Sequence, residues 1–380
     1  MLPDYAGGSL VNLIASIVAG RGGRPLHAPL RALLPGEIAP ARNVVLLIVD
    51  GLGDNYLLRR GQGGELARRR RGSMTSVFPS TTASAITTSY TGCTPLEHGL
   101  TGWYTYFGEA GCVAAPLPFR SRGDQLPLGL RGVSARRLFT SASLFESLPV
   151  RCIVVSYRAI IDSDYNLRHC EGAERRAHDT LDEMVDQVEA AVKSGPETKF
   201  VYAYWPQYDA ISHRYGSESA EAFAEFQKID EAYGKLLGRL SGTESKVIVT
   251  SDHGFIDSTA GDCMEAPPAV CSLLRFPLCG ERRIAYCHVQ SVKEFMPRAR
   301  DWLGERAEVR ASGELLNEGW FGPGTPHPRF AERIGDVALV LRGRYTVKDW
   351  TPGEPRYLHI GNHGGTSEDE MMIPLVMEAV

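Results

Sequence analysis

Four stretches of the chain are apolar at nearly every position: Asn43–Val49 (NVVLLIV), Cys152–Ser156 (CIVVS), Phe200–Trp205 (FVYAYW) and Lys246–Thr250 (KVIVT). A strand with one wet face alternates apolar and polar residues. These runs do not alternate, so they predict strands buried on both faces, as in a parallel sheet covered by helices. Between them, Glu174–Lys193 and Ser219–Leu240 carry apolar residues at helical spacing. Strands alternating with helices predict an α/β fold, a three-layer sandwich around a mostly parallel central sheet. A shorter strand is predicted at Met74–Val77, running into a small-residue, helix-compatible stretch that ends near Tyr90.

The pattern changes after Ala266, where Pro267 and Pro268 break the chain. A strand at Arg283–Val289, a helix at Val292–Leu303 and a strand at Asp336–Leu341 follow, with the proline-rich loop Gly322–Pro328 before the last. The expected organisation is a catalytic core built from residues 1–265 and 346–380, with residues 266–345 inserted as a small α+β cap. The chain shows no internal repeat and no low-complexity tract.

Composition narrows the classes. With 43% apolar and 23% charged residues, the chain has the make-up of a soluble globular protein. A net charge of -4 gives no electrostatic case for a nucleic-acid polymer or an anionic membrane as partner. No run of about 18 apolar residues is present to span a bilayer. Leu10–Ala19 has the length of a signal-peptide core, but Asp4 precedes it, no Lys or Arg does, and Asn12 interrupts it. It has the spacing of an amphipathic helix. A cytoplasmic location is expected, with secretion or a periplasmic location left open. The eight cysteines contain no C-x-x-C pair, and Cys263, Cys271, Cys279 and Cys287 recur at a spacing unsuited to zinc. They are expected to be free, mostly buried thiols, although a disulfide would be compatible with an oxidising compartment.

The candidate chemistry lies at the ends of the strands and in glycine- and serine-rich turns: Asp50, Thr82, Asp209, His213, Asp252, His253 and His363. In open α/β sheets, working residues lie just beyond the carboxyl ends of strands. Asp50 follows the first apolar run, although Asp-Gly is also a common plain turn. Adjacent side chains on a strand point to opposite faces, so Asp252 and His253 can share one ion only where the strand ends and turns, which Gly254 permits. Asp209 and His213 stand at i, i+4 and share a face if the segment is helical. His363 lies in Gly361-Asn362-His363-Gly364-Gly365, a loop that can approach a site closely. Thr82 closes Phe78-Pro79-Ser80-Thr81-Thr82 at a helix start, which suits a phosphate, although Ser and Thr there are also ordinary N-caps. Three carboxylates, three imidazoles and a hydroxyl are what two divalent ions need if one is to activate the hydroxyl. The set therefore points to a two-metal phosphoryl-transfer hydrolase with a threonine nucleophile.

Taken in order, these segments resemble the alkaline phosphatase superfamily and, within it, the nucleotide pyrophosphatase/phosphodiesterase family. The resemblance is carried by V-D-G at Val49–Gly51, F-P-S-T-T at Phe78–Thr82 and T-G-x-x-P-x-x-H-G at Thr91–Gly99. It continues with D-x-x-x-H at Asp209–His213, S-D-H-G at Ser251–Gly254, and H-G-G at His363–Gly365 followed by E-M-M-I-P-L. It is thin in Gly102–Arg151 and in the cap. The resemblance implies an alkaline-phosphatase-like core and one Zn²⁺ on Asp50, Asp252, His253 and the Thr82 oxygen. It implies a second Zn²⁺ on Asp209, His213 and His363, with Thr82, not Thr81, as nucleophile. Family members carry an Asn that helps to hold a phosphate oxygen; the ungapped position here is Trp103, which departs from the pattern. His98 matches a family position and is read as structural.

Charge counting adds an argument of its own. Three Asp carboxylates and a threonine alkoxide match two divalent ions, and a formally neutral site suits a phosphodiester monoanion. A monoester dianion would favour an added Arg or Lys, and none stands out in the motifs. Nitrogen and oxygen donors without thiolate fit zinc, with Mn²⁺ also compatible. The expected substrate is a small phosphodiester or nucleotide, with Trp320, Phe321 or Tyr345 of the cap as candidates for selecting the leaving group, or else as cap core. Alternatives are a phosphonoacetate-hydrolase-like or phosphomonoesterase activity and, from another class, a catalytically inactive binding module. Oligomeric state is not legible.

Overall fold

The computed structural model describes residues 1–354 and 356–380. Its main sheet has seven strands in the order Arg70–Thr75, Met372–Ala379, Ser245–Thr250, Asn43–Val49, Lys199–Trp205, Arg151–Tyr157 and Glu174–His178. Every pairing from Ser245–Thr250 to Glu174–His178 is parallel. Met372–Ala379 alone runs against both its neighbours. The period of two explains the layers. Val44, Leu46 and Ile48 enter one core with helices Leu10–Gly20 and Thr82–Thr91. Val45, Leu47 and Val49 enter the other with helices Leu181–Val192 and Ala220–Leu240. Leu10–Gly20 is buried almost all round, so it is a core helix and not an amphipathic surface one.

Two expected elements differ for one reason. The segment expected as a single helix, Glu174–Lys193, is an edge strand at Glu174–His178 followed by a helix that begins after Thr180, whose hydroxyl accepts from Glu183 N at 3.2 Å. The strand expected at Met74–Val77 lies at Arg70–Thr75, the opposite edge. Edge strands tolerate charged residues, and often use them to discourage further pairing, so neither has the apolar run that marks a central strand. In the run Arg68–Arg71, Arg68 ends helix Glu65–Arg68. Arg70 enters the edge strand and forks onto the buried Asp54 at 2.6 and 2.8 Å.

A second, antiparallel sheet joins Cys279–Gly280, Ile284–Cys287, Val337–Leu341 and Ala307–Ala311. Helix Val292–Leu303 packs Phe295, Ala299 and Leu303 against it. Trp320 and Phe321 are buried in its other core and pack around Phe78, at ring centroid distances of 4.9 and 5.4 Å. Tyr345 is partly buried against the core shared with helix Val292–Leu303. All three aromatics are therefore packing residues and not the wall of a leaving-group site.

The hairpin Cys279–Ile284 lies directly on the core. Tyr104 and Gly280 exchange backbone hydrogen bonds of 3.2 and 2.6 Å, and a Cβ on Gly102 would lie 2.5 Å from Gly280 Cα. Gly102 permits this approach, while a Cβ on Gly280 would strike the Ile284 carbonyl oxygen within the hairpin at 2.4 Å. Beside it, Arg283 and Glu370, 1% and 0% exposed, form a 3.0 Å ion pair. Glu370 also accepts from Gly365 N at 2.8 Å and from the Ser367 hydroxyl, so it fixes the loop that bears His363. Removing one partner of a buried pair leaves an uncompensated charge. Glu370→Ala is expected to cost about 3–5 kcal/mol of stability, read by chemical denaturation. A cost near zero would show that the pair is not a structural link.

Candidate metal centre

Three neighbouring parallel strands deliver their following residues to one edge of the sheet. Asp50 follows Asn43–Val49, Asp252 and His253 follow Ser245–Thr250, and Asp209 and His213 lie on helix Gln207–Tyr215, directly after Lys199–Trp205. Gly51 makes the first exit with φ +79°, and a Cβ there would strike the Phe255 ring at 2.3 Å. His363 arrives from the loop after the two-residue strand Gly361–Asn362, which pairs with Ile256–Asp257. Thr82 is the first residue of helix Thr82–Thr91, where the unpaired N–H groups and the positive dipole end face outward.

The seven residues converge. His253 Nε2 lies 3.2 Å from Thr82 Oγ, 3.3 Å from Asp50 Oδ1, 3.4 Å from Asp252 Oδ2 and 3.9 Å from Asp209 Oδ1. His213 Nε2 is 3.4 Å from Asp209 Oδ1 and 3.2 Å from His363 Nε2, which is itself 3.7 Å from Asp209 Oδ1. Two overlapping groups have donor atoms within 4.8 Å of one another: Asp209, His213 and His363, and Asp50, Asp209 and His253. The first matches the second zinc set implied by the resemblance. The other shares Asp209 and leaves Asp252 beside it, so Asp209 stands between the two clusters.

The surrounding groups aim these donors. His213 Nδ1 lies 2.9 Å from the Gly361 carbonyl and His253 Nδ1 lies 3.0 Å from the Gly254 carbonyl, which places N–H on Nδ1 and turns each Nε2 inward. The Tyr204 hydroxyl donates to Asp50 Oδ2, and Asp252 Oδ1 accepts from Gly51 N and His253 N, both at 3.0 Å. The inward oxygens Asp50 Oδ1, Asp209 Oδ1 and Asp252 Oδ2 are buried and receive no hydrogen bond. Among the described residues, no Lys or Arg pairs with any of these three carboxylates. Buried carboxylates left in this state call for cations, and the donor set fits divalent ions.

The electrostatics agree. Burial, then the Asp50 charge, pushes Asp252 up to about 7; burial pushes Asp50 up to about 6; burial with both neighbours raises Asp209. Burial lowers His213 to about 4 and also lowers His363, which keeps both imidazoles neutral and able to ligate. The carboxylate pKa values lie above the unfolded value of about 3.9. Their protonation therefore favours the metal-free fold at low pH, and that contribution is lost as pH rises through about 6 and 7. A divalent ion must displace those protons, so it binds better and stabilises more at higher pH. The metal-induced increase in Tm is expected to grow from about pH 5.5 to about pH 8, checked by thermal unfolding with and without chelator. A pH-independent increase would contradict the ligand set.

Trp103, at the position of the family Asn, is half-exposed at the mouth of the cavity and donates its backbone N–H to Glu281 Oε1 at 2.6 Å. Thr81 Oγ donates to the same oxygen at 2.6 Å, and burial pushes Glu281 up to about 7. His98 is buried, with Nε2 3.3 Å from the Thr88 hydroxyl and Nδ1 accepting from Leu100 N at 3.1 Å. The cavity over the cluster is also lined by Arg122, Arg282, Lys348 and His359. The two arginines and the lysine are positive charge that the motifs did not reveal, whereas burial lowers His359 and keeps it neutral, so the charge count alone does not select diesters. A cue existed only for His359, four residues before His363. Arg282, Lys348 and Glu281 come from cap and return segments whose placement no local pattern signals. No helix among the described residues is long and apolar enough to cross a membrane.

Known proteins resemble this chain in sequence and in fold. The sequence profile of the family described as type I phosphodiesterase / nucleotide pyrophosphatase matches residues 44–268, more than half of the chain. Bis(5'-adenosyl)-triphosphatase ENPP4 of Homo sapiens is 39% identical over 67 residues, 16% of this chain and 15% of that protein. The Bos taurus protein of the same name gives the same identity and coverage. The match thus spans only a small part of these relatives. Among solved structures, murine ectonucleotide pyrophosphatase / phosphodiesterase 5 is similar with a TM-score of 0.65 at 14% identity, over 87% of each chain. Phosphonoacetate hydrolase from Sinorhizobium meliloti 1021, solved with phosphonoacetate, gives 0.63 at 16% identity over 89% of this chain and 90% of that one. At such identities the likeness is one of fold, an α/β core around a mostly parallel sheet. The profile match carries the assignment: the chain belongs to the type I phosphodiesterase/nucleotide pyrophosphatase family.

Proposed function

We propose that the chain is a two-zinc phosphodiesterase/nucleotide pyrophosphatase that cleaves phosphodiester or phosphoanhydride bonds through a phosphothreonine intermediate on Thr82. The observation that carries this reading is the position of the Thr82 hydroxyl, at the head of a helix and 3.2 Å from His253 Nε2 inside the Asp/His cluster. A binding module would need no hydroxyl there. On this reading Asp50, Asp252, His253 and Thr82 hold one ion and Asp209, His213 and His363 hold the other, with Asp209 Oδ1 also within reach of the first. When bound, the ions lower the pKa of the attacking hydroxyl or water and neutralise charge on the leaving oxygen.

The protein's own groups do the rest. Thr82 Oγ forms a bond to phosphorus while the leaving oxygen's bond breaks on the opposite side, toward His213 and His363. Water then displaces Thr82 from phosphorus and restores the hydroxyl. Tyr204 holds Asp50, the Gly254 and Gly361 carbonyls hold His253 and His213, and residues 266–345 form a cap that closes the cavity from above. The expected substrate is a small phosphodiester or nucleotide. Murine phosphodiesterase 5 was also solved as an inactive variant in complex with AMP, which supports a nucleotide.

A second reading has its own support. Arg282 in the cavity, together with the likeness to phosphonoacetate hydrolase, favours a phosphonate or a monoester on the same site. Metal analysis and an assay with Zn²⁺ or Mn²⁺ on bis-p-nitrophenyl phosphate, p-nitrophenyl phosphate and thymidine 5′-p-nitrophenyl phosphate separate the two. Two metals per chain and faster turnover of the diesters are expected. Faster monoester turnover, or none with metals bound, would overturn the diester reading.

A further inference from the structure

The cavity holds three cations, and two of them are matched. Arg122 pairs with Asp349 at 2.7 Å and Glu354 at 3.0 Å, and Lys348 pairs with Glu354 at 2.6 Å. Arg282 has no carboxylate within 4.0 Å among the described residues; its one hydrogen bond goes to the Tyr357 carbonyl at 3.2 Å. Its sequence neighbour Glu281 is turned away and accepts from Thr81 and Trp103. A half-buried guanidinium with a neutral partner keeps most of its five donors and its full charge available to a ligand.

Its position gives that charge a direction. The Arg282 guanidinium lies 5.7 Å from the Tyr357 ring centroid, the Tyr357 ring 5.1 Å from His359, and the His359 ring 4.2 Å from His213. This ladder leads from the Asp209–His213–His363 cluster outward. In an in-line displacement the leaving group departs on the side opposite Thr82. It would therefore pass from that cluster along His359 and Tyr357 to Arg282. The backbone exchange between Gly280 and Tyr104 holds the hairpin that delivers Arg282.

We infer that Arg282 is a specificity-determining residue: it binds a second anionic group, a phosphate or carboxylate, on the leaving portion of the substrate. This rests on the reading that phosphoryl transfer occurs at Thr82. The substrate class is thereby narrowed to compounds whose leaving group carries its own negative charge.

The test is titration calorimetry on the metal-loaded full chain with three ligands. Methylphosphonate has no second anion, phosphonoacetate has a carboxylate, and pyrophosphate has a second phosphate. In Arg282→Gln, affinity for the ligands with a second anion is expected to fall about 10–100-fold, the range of a charge-assisted contact. Affinity for methylphosphonate should change by less than about threefold, and Arg282→Lys should recover part of the loss. The ligand that loses more identifies the anion. Equal losses for all three ligands, or no loss for any, would overturn the inference. Hydrolysis of bis-p-nitrophenyl phosphate by the unmodified protein is measured separately, so failure of the diesterase reading is distinct from failure of the anion site.

Discussion

Thr82→Ala is expected to abolish turnover while leaving both ions and the fold in place. The side chain contributes one hydroxyl at the head of a buried helix whose other contacts do not depend on it. Removing it takes away the attacking atom and leaves six of the seven proposed donors. The loss should be on the order of 10⁴-fold or more, as when a hydrolase loses its nucleophile. Thr81→Ala should cost far less, because Thr81 Oγ is occupied with Glu281. Steady-state kinetics on the preferred aryl substrate, with metal content and Tm measured beside it, would check this. Turnover within about tenfold of the unmodified protein would assign the chemistry to water and not to Thr82.

The second large effect is expected at Asp209. Its Oδ1 faces all three imidazoles and belongs to both overlapping donor groups. It is also partly exposed and on a helix, so its amide analogue preserves shape. Asp209→Asn should therefore cost metal affinity in both sites, not one. Metal content should fall below two per chain, and kcat/KM should drop by about 10²–10³-fold, as several kcal/mol of charge stabilisation implies. Loss of a single ion with the other retained at full affinity would show that Asp209 serves one site only.

How much of this was legible in the sequence depends on where a residue stands. Central strands announce themselves, because burial on both faces forces continuous apolar runs such as NVVLLIV; Asp50, Asp252 and His253 are found as what comes next. Edge strands do not, and Glu174–His178 reads as helix because one of its faces is wet. Asp209 and His213 were legible from i, i+4 spacing, since the segment is helical. Tyr204 was hidden inside an apolar run, where nothing marks a hydroxyl that reaches Asp50 across neighbouring strands. Glu281 and Arg282 were hidden more deeply. They sit on a hairpin whose backbone Gly102 lets approach closely, a contact between segments far apart in the chain. In the sequence Trp103 stands where the family has an amide, and nothing there marks its backbone N–H as a donor to Glu281 beside Thr81.

The central claim is that phosphorus is transferred to Thr82 before it reaches water. The stereochemical course tests it most directly, because the outcome does not depend on whether the intermediate accumulates. A phosphorothioate diester of defined configuration, hydrolysed in isotopically labelled water, gives a product whose configuration can be read. Two successive in-line displacements, onto Thr82 and then onto water, predict net retention. Net inversion would mean a single displacement by water and would contradict a threonine nucleophile.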